Sequence, residues 1–522
     1  MIDQMVRSAA TARSGQLALA DAPNRNDCFH GDALRLNWAE VDCTVDNLAA
    51  DLERLGVAPG VGVAIQLPNV AELVISILAT IRLGAVAVPF PIQHRAHELR
   101  HGFSTADIGL AITGPRPDRP DQIETMAAVM AELAPATPLA VFGDSGSTPA
   151  TSLTLDTSEP SSRLGADPVN DIATVCWTSG TTGTPKGVPR TNSMWMASGN
   201  FQVDQLEITA DDRILCPFPL VNMAGIGGML VPWAIAGAAL HLHQPMSLPV
   251  FLGQLVGEKI TYTVAPPPLL NMLLADESIL ADADLSNVRK ISSGSAPLDP
   301  WMVAGWQDKG IEIVNVFGSN EGAAMLSTLA TVADPAERAR YFPRPDREGV
   351  DVRLVDLDTG ADITEPGKLG ELRFTGPTVF DGYLGSDGAE FDDQGAYRTG
   401  DLFEWVDDPP RLLRFVDRAK DIIIRGGMNV SAAEVEGLVS SHDAIVECAA
   451  VSFPDDVMGE KVGVFVVAAP DSSPTLDDVT AHLRSLDVAS YKHPERLELI
   501  EVLPRNPVGK VVKDELRDRW QS

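Results

Sequence analysis

Cysteine is scarce and unpaired in this chain. Its five cysteines, at 28, 43, 176, 216 and 448, never form a CxxC pair. That spacing argues against a disulfide framework or a zinc site and fits a reducing compartment. Positive charge is also in short supply, with 40 Lys and Arg against 72 Asp and Glu and a net charge of −32. Nonspecific binding to nucleic acid or to an anionic membrane needs clustered cations. Those partners are therefore excluded, and any phosphate ligand must be held by a local group of cations against the overall field. The opening stretch "MIDQMVRSAATARSG" lacks the apolar core of a signal peptide, so a cytoplasmic location is expected. Long apolar runs are nearly missing as well. Met223 to Leu240 is 18 residues without a charge, long enough to span a bilayer, but it holds four Gly and Pro232. No close cationic anchors flank it, and it reads as a Gly-rich buried helix beside a ligand pocket.

A Walker A loop is missing too. That motif needs Gly directly before its Lys and Ser or Thr directly after. In "TSGTTGTPKGVPRT", residues 178 to 191, Pro185 precedes Lys186 and Gly187 follows. Hydroxyls, glycines and one cation are nevertheless gathered there. Gly lets backbone approach a ligand, successive N–H groups form a concavity for anions, and hydroxyls add donors. The bland alternative is a surface linker, which the preceding "SGSTPATSLTLDTSEPSSRLG" resembles in composition. But "IATVCWT", immediately before the loop, reads as a buried strand, and a phosphate loop belongs just after a strand.

At 522 residues the chain is too long for one core. From about 170 to 320, strand-like runs ("DRILCPF", "ITYTVAP", "VRKISS", "IEIVNVF") alternate with helical ones ("PVFLGQLVGEK", "PPLLNMLLAD", "PWMVAGWQDKG"). That alternation predicts an α/β architecture with much parallel sheet. Residues 60 to 90 read as another strand–helix–strand unit, and 350 to 416 as a small β-rich piece. After about 420 comes a β-pair, a helix near 432–440, two long strands and a helix near 475–486, large enough for a separate α+β domain.

Eight motifs stand in order: "TSGTTGTPKG", "PLVNMAG" (219–225), "SSGSAPL" (292–298), "NVFGSNEG" (315–322), "YRTGD" (397–401), "DRAKDIIIRGGMNVSAAEVE" (417–436), "YKHP" (491–494) and "PRNPVGK" (504–510). Together they resemble the adenylate-forming enzymes: acyl-CoA and aryl-CoA synthetases, aryl-acid AMP ligases, peptide-synthetase adenylation domains and beetle luciferase. The resemblance covers the chain from about residue 30 to its end.

The resemblance implies a large N-terminal adenylation domain, 1–417, of mostly parallel sheets plus a small β-rich subdomain, and a small mobile α+β domain, 418–522. It implies ATP, Mg2+ and CoA as reactants or cofactors and a small-molecule carboxylic acid as substrate. The loop Thr178, Ser179, Gly180, Thr181, Thr182, Gly183 and Lys186 is expected over the ATP β- and γ-phosphates. Gly294, Ser295 and Ala296 are expected along adenine, with Phe317 as the stacking ring. Asn315, Gly318, Ser319 and Asn320 complete that wall, Asp401 is expected on the ribose hydroxyls, and Arg418 on ribose or phosphate. Glu321 matches the magnesium carboxylate, since a hard cation takes oxygen ligands. Lys510 matches the lysine that enters for adenylation. So distant a residue implies a mobile carrier domain, with the hinge at Lys420.

After rotation, Gly426, Gly427 and Met428 are expected to face the entering thiol. The cations Arg425, Lys461 and Lys492 are the candidates for CoA phosphates. The acyl pocket is expected from Asn222, Met223, Ala224, Gly294, Val316, Gly318, Ala323 and Met325, mostly small and apolar. Two positions depart from the family. Asn222 replaces a frequent His, and "FGSNE" replaces "YGxTE", with Asn320 in place of Thr. The His–Asn pair of catechol-type ligases is missing, which argues against dihydroxybenzoate or salicylate and suits a medium-sized aryl, alicyclic or branched acid. No fused carrier module is expected, so CoA and a phosphopantetheinyl carrier protein both stay open as acceptors.

Overall fold

The computed structural model describes residues 1–160, 171–178, 185–281, 283–294, 296–425, 428–455, 458–486, 488–506 and 510–521. By its internal contacts the chain divides into two compact units. The larger is Met1–Asp351 with Thr375–Tyr397, and the smaller is Val352–Phe374 with Arg398–Ser522. Contact groups residues by compactness, whereas the boundary expected at 417/418 is one of motion.

The larger unit has two extended sheets. One runs in the order Ala324–Ser327, Glu312–Gly318, Lys290–Gly294, Tyr262–Val264, Arg213–Cys216, Ala239–Leu242, Leu17–Ala20, Arg35–Asn37. Its inner pairs are parallel and its two end pairs antiparallel. Four of these strands are the runs read from sequence, and Leu248–Gly257, Pro267–Ala275 and Pro300–Asp308 are the helices expected between them. The second sheet runs Thr151–Leu153, Leu139–Phe142, Ile108–Thr113, Gly62–Ile65, Val86–Pro89, Ile172–Thr178, Lys186–Thr191, and only its last pair is antiparallel. Parallel strands need covered faces. The helices Trp38–Arg54 and Ala71–Arg82 supply cover, and Val45, Leu48, Leu73 and Ile77 join strand residues Ile65, Ile214 and Leu240 in one core.

The run Met223–Leu240 is not one helix. It forms a π-helical turn Met223–Leu230, a short α-helix Val231–Ala236, and the start of the strand Ala239–Leu242. The physical cause is local. Pro232 suits a first helical turn, and Gly237, left-handed at φ 68, ends the helix after Ala236. Most of the run is buried, and among the described residues no helix is long and apolar enough to cross a membrane.

In the smaller unit, the antiparallel strands Tyr397–Trp405 and Leu412–Arg418 belong to the β-rich piece. Beyond them, Ile422–Arg425, Met428–Ser431, Ile445–Asp455, Gly459–Ala468 and Arg496–Leu499 form a sheet. The helices Ala432–Ser440 and Leu476–Ser485 pack on it through Val435, Val439, Val479 and Leu483. This is the α+β unit expected from sequence.

Candidate active site

The residues flanking the expected phosphate loop face each other, Thr178 opposite Lys186 across the antiparallel pair. Ser179, Gly180, Thr181, Thr182 and Gly183 lie outside the described residues. Beyond the loop, three successive residues are held from outside. His101 Nε2 is 2.7 Å from the Pro185 carbonyl oxygen, so that nitrogen must carry the proton it donates. The Lys186 ammonium lies 4.5 Å from the centroid of the Tyr383 ring. The Gly187 carbonyl accepts from Leu384 N at 3.0 Å.

Glu321 follows the strand Glu312–Gly318 and is 7% exposed. Its Oε1 accepts from the Tyr383 hydroxyl at 2.7 Å, and its carbonyl accepts from Phe380 N at 2.8 Å. Oε2 has no hydrogen-bond partner among the described residues. Burial, then the Glu321 charge, pushes the Tyr383 phenol well above its ordinary range. Gly322 is required next. Its φ is +101°, and a Cβ there would stand 1.8 Å from the Thr378 carbonyl oxygen and 2.5 Å from Arg190 Nη1.

Arg190 is completely buried behind this turn. It donates to the Asn320 carbonyl at 3.3 Å and to Ser198 Oγ at 3.2 Å, and it lies over the Trp195 ring at 4.7 Å. Burial lowers its guanidinium to about 10.

The expected adenine wall is partly assembled. At Gly294 a Cβ would meet the Val316 carbonyl oxygen at 2.1 Å, so only Gly allows the two strands this approach. Ser295 lies outside the described residues, and Ala296 is exposed. Phe317 is half-buried, edge-on to Phe342 at 6.2 Å. Gly318 is exposed, and the Ser319 hydroxyl is shielded without a partner among the described residues. Asn315 faces inward instead, its Nδ2 donating to the carbonyls of Arg338 and Ala339 at 3.0 Å each.

On the acyl side, Asn222 caps the π-helical turn, its Oδ1 accepting from Gly225 N at 3.1 Å. Asn320 uses both ends of its amide. Oδ1 accepts from Met223 N at 2.8 Å, and Nδ2 donates to the Trp177 carbonyl at 3.2 Å. One side chain thus ties the strand before the phosphate loop, the expected acyl loop and the "SNEG" turn. Ala224 is exposed and Val316 half-buried, while Ala323 and Met325 are in the core at 0% and 1% exposure.

In the smaller unit, Asp401 is opposite Arg418 in register, with Arg418 Nε 2.8 Å from Asp401 Oδ1. Asp417 Oδ2 accepts from Ser431 Oγ at 2.9 Å and from Ala433 N at 3.0 Å, fixing the start of the helix Ala432–Ser440. Lys420 sits in the short turn Ala419–Asp421, its Nζ 4.0 Å from Asp514. Arg517 binds Asp421 beside it. Lys513 is ion-paired with Glu436 at 2.7 Å, and Lys510 is exposed, its N donating to Asn506 Oδ1 at 2.9 Å. Met428 is 47% exposed, and Gly426 and Gly427 lie outside the described residues. Each cation proposed for CoA has an acidic partner: Arg425 with Glu495 (2.9 Å), Lys461 with Asp455 (2.7 Å), Lys492 with Glu434 (2.6 Å).

Sequence reading passed over Tyr383, His101 and Arg190. The first two act through segments remote from the loop they touch. The only signal for Arg190 is a cation inside an otherwise strand-like "KGVPRT".

The AMP-binding enzyme family matches residues 8–384, and the AMP-binding enzyme C-terminal domain matches 434–510. The chain belongs to the AMP-binding enzyme family, within the adenylate-forming ligases. It is 30% identical to an indoleacetate–CoA ligase of Aromatoleum aromaticum over 500 residues, 92% of each chain. It is 29% identical to a salicyl-AMP ligase / salicyl-S-ArCP synthetase of Mycobacterium tuberculosis over 526 residues, 98% of this chain and 89% of the relative. The fold matches that of the anthranilate CoA ligase AuaEII in complex with anthranoyl-AMP, at a TM-score of 0.84 and 22% identity, covering 99% of this chain and 97% of the other.

Proposed function

We propose that this chain activates a medium-sized aryl, alicyclic or branched carboxylic acid with ATP and transfers the acyl group to CoA. The observation that carries the first half is the joined set Lys186, Tyr383 and Glu321, which brings a cation and a buried carboxylate together beside the expected phosphate loop. A carboxylate oxygen of the acid bonds to the α-phosphorus, and the bond to pyrophosphate breaks. Little covalent work falls to the protein, so positioning and charge stabilisation carry the rate. Lys186 offsets charge on the leaving phosphates.

Among the described residues no three His, Cys, Asp or Glu side chains gather into a metal cage. One open carboxylate oxygen, Glu321 Oε2, fits magnesium, which takes most of its oxygens from phosphates and water. Bound there, magnesium would neutralise polyphosphate charge. Asp401 and Arg418 are the pair for the ribose side. Lys510, which closes the "PRNPVGK" motif, is the lysine for the oxygens in flight. In the second half-reaction the thiol sulfur bonds to the acyl carbon, its proton is lost, and AMP leaves.

The 30% identity to an indoleacetate–CoA ligase supports CoA as the acceptor. A second reading, loading of a phosphopantetheinyl carrier protein, draws on the acidic partners of Arg425, Lys461 and Lys492. A neutralised patch has little surplus charge for the nucleotide phosphates of CoA. The test supplies ATP, magnesium, a panel of acids, and either CoA or a phosphopantetheinylated carrier. It follows pyrophosphate release and thioester mass. Thioester on CoA is the expected result. Adenylate that loads only the carrier overturns the CoA assignment and upholds the second reading.

A further inference from the structure

Tyr383 is one of only five tyrosines in the chain, and it touches both charged groups of the proposed site with different parts of its side chain. Its hydroxyl donates to Glu321 Oε1 at 2.7 Å. Its ring lies under the Lys186 ammonium at 4.5 Å, within the range where a ring face attracts a cation. Its own placement is over-determined. The backbone N donates to Glu390 Oε1 at 2.8 Å, the ring packs edge-on to Phe380 at 4.8 Å, and the next residue donates its N–H to the Gly187 carbonyl at 3.0 Å. Phe380 N in turn holds the Glu321 carbonyl at 2.8 Å, so one short segment grips both the strand that carries Lys186 and the turn that carries Glu321.

We propose that Tyr383 is a positioning residue that fixes the Glu321 carboxylate for the metal and parks Lys186 for the polyphosphate. The hydroxyl occupies Oε1, which leaves Oε2 as the oxygen presented to a cation. The ring keeps the ammonium off the nearby carboxylates. Glu390, whose charge interacts with Lys186, would otherwise compete for it. The inference rests on the reading of Glu321 as the magnesium carboxylate, and its test separates the two.

The test is calorimetry of ATP binding, with magnesium and with chelator, for the wild type, Tyr383→Phe, Tyr383→Leu and Glu321→Gln. The quantity read is the ratio of the two affinities, with thermal melting as a control for folding. Tyr383→Phe keeps the ring under Lys186 and removes the hydroxyl, which is hydrogen-bonded to Glu321 and also to Tyr397. It is expected to lower the magnesium-dependent ratio by about tenfold, the scale of one hydrogen bond to a charged group, and to leave metal-free ATP binding unchanged. Tyr383→Leu is expected to weaken metal-free binding as well. Glu321→Gln is expected to abolish the ratio. A Tyr383→Phe enzyme that keeps the full ratio while Glu321→Gln loses it overturns the proposal alone. A Glu321→Gln enzyme that keeps the ratio overturns the metal assignment and the proposal with it. Should Tyr383→Leu fail to fold, Tyr383→Phe still decides.

Discussion

Asn320 shows how much a single side chain can join. Its amide spans from the Met223 N–H to the Trp177 carbonyl, and its backbone carbonyl takes the buried Arg190. The family frequently has Thr here, which is too short to span both groups. Asn320→Leu removes two hydrogen bonds to half-buried backbone groups, at a cost of about 0.5–1.5 kcal/mol each. Because Met223 belongs to the proposed acyl loop, the acid KM is expected to rise by about tenfold, with ATP KM moving much less. Pyrophosphate-release kinetics across acid concentrations check this. An unchanged acid KM would show that the bridge does not shape the acid site. Sequence alone suggested Asn320 as part of the nucleotide wall, because position in a motif names a neighbourhood and not the direction a side chain takes. Asn315 teaches the same lesson from five residues away. It lies in the same motif, yet its amide is spent on the carbonyls of Arg338 and Ala339.

At the scale of elements, the antiparallel pair Ile172–Thr178 and Lys186–Thr191 carries the phosphate-loop stems at the edge of its sheet. An edge pair has one side unbraced, and the helix Ala96–Thr105 supplies part of the brace through His101 and the Pro185 carbonyl. His101→Leu removes that donor with little change in bulk. The expected result is an ATP KM raised about three- to tenfold, the range of one lost hydrogen bond, with acid KM close to wild type. His101→Gln, which can still donate, is expected to recover part of the loss. If leucine and glutamine behave alike in ATP-dependent pyrophosphate exchange, the hydrogen bond does not set the loop. The strand and helix periods were readable in this region because they follow from apolar patterning. The brace was not, because His101 and Pro185 are 84 positions apart.

For the whole molecule, two properties follow from where charged groups are buried. Lys510 is exposed in the smaller unit. If Lys510 acts only in adenylation, Lys510→Ala should slow that step by about 10²–10³, the scale of one preorganised donor. Thioester formation from supplied acyl-adenylate should change far less. Equal losses in both half-reactions would sink the proposed domain motion.

The second property is acid sensitivity. Burial holds His94 and His241 down to about 4 from 6.5. Glu98 opposes that shift at His94, and Glu258 opposes it at His241. Above pH 6.5 both imidazoles are neutral, folded or unfolded. As pH falls below 6.5 the unfolded chain takes up protons that the folded one refuses, so stability is lost progressively until about pH 4. The full loss is on the order of 3 kcal/mol per histidine. Melting temperature should therefore fall between pH 7 and pH 5, and fall less in a His94→Gln/His241→Gln double variant. Parallel pH profiles for the two proteins would refute the assignment.

The sequence by itself determined the fold class, the family and the order of the reacting motifs. Apolar period, glycine placement and the eight ordered motifs are local properties, and a local property is fully written in a short stretch of chain. The α/β alternation of the larger unit and the α+β character of the smaller one followed from them. Tertiary structure decided what each motif residue faces. It turned Asn315 inward and gave Arg425, Lys461 and Lys492 acidic partners. It also set Tyr383 between Lys186 and Glu321, residues 135 positions apart, across segments that no spacing rule connects. Hydrogen bonds and ion pairs act over about 3 Å of space, whatever the distance along the chain. Their partners therefore exist only once the chain has packed.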